Sequence, residues 1–171
     1  MESMIPLSDE QGIVYDYAEK MEVHQKGLLH LAFSVLIYDT MGRMLIHRRA
    51  DEKYHSAGLW TNACCGHPYP NEEIAAAAKR RLHEEMGIEA RLTPTFRFHY
   101  RAEMENGLIE NELDQVFEGV YEGPITPNPA EASAYRWISL DDLRAEVQAR
   151  PSDFTYWFKA ILAHQDRGHG Q

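Results

Sequence analysis

The sequence predicts a single α/β (α+β) domain in which helices sandwich a mixed β-sheet. Three observations carry this prediction. The 171 residues suffice for one domain with a proper core. Strand-like and helix-like periods alternate along the chain, with hairpin turns between some strands. No repeat, low-complexity tract or apolar run of membrane-spanning length interrupts them.

Residues 1–12 are polar and end in Gly12, and they read as a mobile lead-in. Residues 13–30 place Lys20, His24 and His30 around a short loop. LAFSVLIYD, 31–39, is apolar enough for a strand buried on both faces. A turn at Asp39–Gly42 returns the chain as a second strand, 43–49. Residues 50–59 are a polar connection, followed by a Cys-Cys-Gly-His-Pro turn. A helix is expected from Asn71 as N-cap, with Glu72 and Glu73 at the positive end of its dipole and Gly87 as its stop. Residues 95–102 and 108–121 read as long strands joined by a turn at Glu105-Asn106-Gly107. YRWIS, 135–139, is the last strand. Ser139 then caps a helix to about 148, Pro151 breaks it, and a final helix follows at 153–164. The domain spans 13–165, and 166–171 form a polar tail.

Composition narrows the function. The net charge of −10 argues against nucleic acid or an anionic membrane as the main partner. It leaves room for a small anionic substrate where bases or metal ions gather. The two cysteines are adjacent, so they make no disulfide framework. MESMIPLSDEQG lacks a basic region followed by an apolar block, and the expected location is cytoplasmic.

The charged helix carries the first motif. Gly66, five residues, Glu72, seven residues and Arg80 lead through Leu82 to Glu84-Glu85-Met86-Gly87-Ile88. This register resembles the Nudix box, a loop–helix that holds divalent metal against a diphosphate. One position departs: Arg81 stands where Nudix hydrolases carry a metal-holding glutamate. A cation there removes ligand density needed to activate water and adds a partner for phosphate oxygens. Diphosphate binding survives the change, whereas hydrolysis is put in question.

Strand 108–121 carries the second motif. Residues two apart face the same way, so Glu110, Glu112 and Asp114 project together. The alternation does not say which face is inside. A divalent cation would explain two of these carboxylates, and His24, His30 and His67 sit where ligands are easily aimed.

HLAFSV (30–35), RRADEK (48–53), LWTNACCGHP (59–68), RFHYRA (97–102) and IENELDQVF (109–117) together resemble type 1 isopentenyl-diphosphate isomerase, over about residues 10–165. The resemblance implies a Nudix-like fold with extra N-terminal structure. It implies one divalent ion, Zn²⁺, Mn²⁺ or Mg²⁺, on His24, His30, His67, Glu110 and Glu112. It implies a second, Mg²⁺, between the substrate diphosphate, Glu85 and the backbone carbonyl of Cys65. Lys20, Arg49, Lys53 and Arg81 would bind the diphosphate. Cys65 and Glu112 would be the catalytic pair, with Tyr100 beside Glu112 and Trp157 facing positive charge. The implied reaction shifts a carbon–carbon double bond, converting isopentenyl to dimethylallyl diphosphate. One of Cys65 and Glu112 adds a proton and the other removes one. The expected partner is a small isoprenoid diphosphate, and the expected state a monomer or weak homodimer. Cys64 reads as a small buried side chain. Two other readings are a Nudix hydrolase of a nucleoside diphosphate derivative and a metal-stabilised binding module without catalysis.

Overall fold

The computed structural model describes residues 4–53 and 55–169. Its first element corrects the expectation for the N-terminus. Met4–Ser8 form strand β1, with Ile5 and Leu7 buried, paired antiparallel with β2, Val14–Glu19. The apolar MIPL segment finds a partner strand and a small core of its own with Val23. Residues 1–3 of the expected lead-in lie outside the described residues. The short loop expected at 24–30 is partly helical. Lys20–Lys26 form helix α1, which Glu19 caps by accepting from the Glu22 N–H.

Strand β3, His30–Tyr38, is the sheet's centre. Residues 32–37 are all buried, as the apolar run predicts. β4, Met44–Arg49, returns antiparallel but pairs with β3 only at Tyr38↔Met44. It then pairs with β5, Trp60–Thr61, and with β9, Ala132–Ile138. The edge that β4 leaves is taken by β6, Cys64–Gly66, at Ser34↔Cys65. β7, Thr93–Glu103, and β8, Ile109–Val120, form the expected hairpin, turning at Asn106 with φ of 66°. β8 runs parallel to β3 from His30↔Glu112 to Tyr38↔Val120. The sheet therefore divides into two arms, and a cavity opens between them.

Helices cover both faces. α2, Ile74–Met86, starts two residues later than an Asn71 cap predicts. Asn71 sits in the left-handed region at φ 66°, and the Glu72 carboxylate turns back to the Tyr69 N–H and Arg80. Glu73 takes the N-cap position without a side-chain hydrogen bond. Ala77, Ala78, Leu82 and Met86 pack on Phe33, Val35 and Ile37. Gly66 permits that approach: a Cβ there would lie 2.9 Å from Phe33. The opposite face, through Leu36 and Val116, meets α3, Leu140–Ala149, and α4, Tyr156–His169. The Ser139 hydroxyl caps α3 as expected. The final helix begins at Tyr156 because Pro151–Asp153 close a 3₁₀ turn first. It continues through residues expected as tail; 170–171 lie outside the described residues. Among the described residues no helix is long and apolar enough to cross a membrane.

Candidate active site

The cavity between the arms measures about 430 Å³. Every site residue named from the sequence lines it except His24 and His30, which are fully buried behind its carboxylates.

One end is built from imidazoles and carboxylates. The parallel register sets His30 beside Glu112, α1 delivers His24, and the turn after β6 delivers His67. His24, His30, His67 and Glu112 each offer a ligand atom within 4.8 Å of the others. Each ring's Nδ1 lies against a backbone carbonyl: Lys20 O at 2.7 Å, Leu28 O at 2.9 Å and Leu31 O at 3.1 Å. A carbonyl only accepts, so Nδ1 carries the hydrogen and the Nε2 lone pairs converge. His30 Nε2 then faces Glu112 Oε2 at 3.3 Å, and His24 Nε2 faces Glu110 Oε1 at 3.3 Å. A cation between each nitrogen and its carboxylate satisfies such a pair, as does a shared proton: burial opposes a charged His24, but hydrogen bonding and attraction to Glu110 raise it. Glu110 Oε2, buried with no hydrogen-bond partner, adds a further donor atom. The set fits a divalent metal ion.

Burial, then the charge of Glu110, raises Glu112 to about 7. Burial also opposes ionisation of Glu110, but hydrogen bonds with Glu112, His24 and His55 outweigh it and hold Glu110 well below the usual range. The Tyr100 hydroxyl, directly opposite in the β7–β8 register, donates to Glu112 Oε1 at 2.6 Å.

The thiol sits between the ends. Cys64 and Cys65 point to opposite faces of β6, Cys64 into the core under α2 and Cys65 to the cavity. Cys65 Sγ donates to Asn62 Oδ1 at 3.3 Å and lies 3.6 Å from Ser34 Oγ. The Asn62 amide donates to Val35 O and Cys64 O, which fixes its oxygen toward the thiol. The Ser34 hydroxyl donates to Asp114 Oδ2 at 2.8 Å, so toward the sulfur it can only accept, as an alternative to Asn62 Oδ1 for the one thiol hydrogen. Burial, then the charge of Asp114, pushes the thiol far above its ordinary value. Cys65 is held as a neutral S–H, suited to carrying a proton rather than attacking as a thiolate.

The other end is basic. Arg81 donates to Glu84 and Glu85, each at 2.9 Å, and lies 3.4 Å from Glu131. Lys53 donates to Glu131 at 2.7 Å. Burial, then Lys53, lowers Lys20. Arg49 donates to the His55 carbonyl and sits 5.1 Å from the Trp157 ring centroid, and its buried Nε has no hydrogen-bond partner. Burial raises Glu85 to about 7 against the pull of Arg81. Arg80 braces the loop, doubly bonded to Glu72 and stacked 3.7 Å from the Tyr69 ring centroid.

Four contributors were missed in the sequence. His55 bonds Glu110 at 2.7 Å and meets the Trp157 ring edge-on, yet it lies in what read as a polar connection. Ser34 was hidden inside an apolar strand. Asn62 carried no signal of its own. Glu131 follows a proline-rich loop with no motif.

A NUDIX domain family model matches residues 28–158. The isopentenyl-diphosphate Delta-isomerase 1 of Aromatoleum aromaticum is 48% identical over 162 residues, covering 95% of this chain and 92% of that protein. The isopentenyl-diphosphate Delta-isomerase of Serratia proteamaculans is 44% identical, covering 95% and 90%. Among solved structures, a MutT protein from Methanosarcina mazei aligns with a TM-score of 0.68 at 21% identity, covering 84% of this chain and 96% of that one. That likeness carries the fold alone. The architecture, the matched domain and the length of similarity agree: this chain belongs to the isopentenyl-diphosphate Delta-isomerase family of Nudix-domain proteins.

Proposed function

We propose that this protein converts isopentenyl diphosphate to dimethylallyl diphosphate by adding one proton and removing another. The observation that carries the reading is the pairing of a neutral thiol, Cys65, with a carboxyl of raised proton affinity, Glu112, on one cavity.

The chemistry follows from the substrate. An unactivated alkene is a weak base. Protonation of its terminal carbon leaves positive charge on the tertiary carbon. Loss of a proton from the adjacent methylene then gives the internal double bond. The step is balanced, with one proton in and one out, and needs no redox partner or water. Cys65 and Glu112 serve as the two proton-transfer groups. The Tyr100 hydrogen bond fixes the Glu112 carboxyl and tunes its basicity. The Trp157 indole lines the cavity and offers a face to the positive charge, worth roughly 1–2 kcal/mol in a dry site. Lys20, Arg49, Lys53 and Arg81 hold the diphosphate. His24, His30, His67, Glu110 and Glu112 would hold Zn²⁺, Mn²⁺ or Mg²⁺, and Glu85 with the Cys65 carbonyl would hold Mg²⁺. Bound there, these ions neutralise the clustered carboxylates and the diphosphate. The net charge of −10 supports a small diphosphate, gathered by local bases, over nucleic acid.

Hydrolysis of a nucleoside diphosphate derivative has less support. Arg81 occupies a position at which hydrolases carry a metal carboxylate, and it already bonds Glu85. Incubation with Mg²⁺ and isopentenyl diphosphate is expected to yield dimethylallyl diphosphate by chromatography, with no phosphate released from a nucleotide panel. Phosphate release without isomer would reverse the assignment.

A further inference from the structure

The basic end of the cavity already holds an anion of the protein's own. Glu131 precedes β9 on a fixed backbone. Its N–H donates to Asn128 O at 2.9 Å, and its carbonyl accepts from Ala50 N–H at 3.0 Å. Its carboxylate spans two cations from different elements: Oε1 accepts from Lys53 Nζ at 2.7 Å, and Oε2 lies 3.4 Å from Arg81 Nη2. The three side chains are only 18–25% exposed, so these pairs are shielded from bulk water. Burial opposes the charge, but the Lys53 hydrogen bond and the attraction of Lys53 and Arg81 hold Glu131 below the usual carboxylate range. Arg81 Nη2 also donates to Glu85 Oε2 at 2.9 Å, so two carboxylates converge on one nitrogen.

We propose that Glu131 is an internal counter-anion, which occupies Lys53 and Arg81 and releases them more readily to a diphosphate that a divalent cation accompanies. The inference rests on the diphosphate reading above. A diphosphate must take the same two cations. Arriving alone, it meets Glu131 and Glu85 as like charges and has to displace Glu131 from Lys53. Arriving with a divalent cation, it brings the positive charge that both carboxylates lose when Lys53 and Arg81 turn to phosphate oxygens. Glu131 thereby sets preference for the metal–diphosphate pair over free diphosphate. It touches none of the reacting carbons and acts as a specificity residue.

Calorimetric titration of the full chain with inorganic pyrophosphate, with and without Mg²⁺, tests this. Wild type is expected to bind pyrophosphate about tenfold or more tightly with Mg²⁺ than without. Glu131→Gln is expected to bind metal-free pyrophosphate roughly five- to tenfold more tightly than wild type, so that the Mg²⁺ advantage shrinks by at least that factor. Both affinities falling together, with their ratio unchanged, would mark a merely structural ion pair. That result overturns the inference and leaves the diphosphate reading standing. No pyrophosphate binding by wild type in either condition would remove that reading and the inference with it. Glu131→Ser carries the same comparison if thermal unfolding shows the glutamine variant to be misfolded.

Discussion

The two ends of the cavity solve opposite electrostatic problems. At the imidazole–carboxylate end, ring nitrogens and carboxylate oxygens converge as electron-pair donors, an arrangement that a cation among them would complete. At the basic end, cations converge, and the chain supplies its own anions, Glu84, Glu85 and Glu131. The first end stands mainly on paired strands and short turns, and its ring orientations are set by backbone carbonyls. The second stands on a helix and two loops, and its side chains hold one another. A rigid end suits a resident ion and a proton donor whose position decides the rate. A self-neutralised end suits a substrate group that comes and goes.

Breaking the catalytic span between the ends has the largest expected effect. Cys65→Ala is expected to lower kcat by ~1000-fold with an unchanged melting temperature, because the thiol carries a proton and little packing. Near-normal turnover would remove Cys65 from the proposed pair. Next comes removal of the ion. Chelation should lower thermal stability, with about 3–4 kcal/mol lost when the free metal had stood at 100–1000 times its Kd. His67→Ala should lose the bound ion by elemental analysis, whereas Lys53→Ala should keep it. Equal loss in both variants would erase the distinction between the ends.

A third prediction concerns pH. Burial, then Arg49, lowers His47, which lines the cavity, from 6.5 to about 4. Between those values the unfolded chain takes a proton at this residue and the folded chain does not. Its contribution is therefore complete above pH 6.5 and lost as pH falls toward 4, on the order of 3 kcal/mol at most. Denaturant titrations across that window should show a shallower pH slope for His47→Gln. A slope equal to wild type would contradict the buried neutral ring. The smallest effect belongs to the basic end. Lys53→Ala should raise KM about tenfold with kcat nearly unchanged, since its hydrogen bond serves ground and transition states alike. A loss confined to kcat would place Lys53 at the reacting carbons instead.

Much of this was legible in the sequence, and the exceptions have physical causes. β3, the β7–β8 hairpin, the Gly87 stop and the Ser139 cap rest on local signals, a continuous apolar run or a turn that few residues satisfy. β1 and β2 carry no such signal. Met4–Ser8 is short, and it becomes a strand through pairing and the contacts of Ile5 and Leu7. The seven-residue α1 is too short to stand alone and depends on tertiary packing. On β8 the alternation was visible but not its sense, because the face turned inward is the charged one: Glu110, Glu112 and Asp114 are all buried. His55 and Glu131 reach the cavity from loops, where spacing carries no period to read.

Turnover of isopentenyl diphosphate in D₂O, followed by proton and deuterium NMR, tests the central claim most directly. The account predicts deuterium in the newly formed methyl group of dimethylallyl diphosphate, with the diphosphate intact and the label absent in Cys65→Ala. Release of phosphate with no labelled isomer, from metal-loaded protein with Cys65 intact, would contradict it.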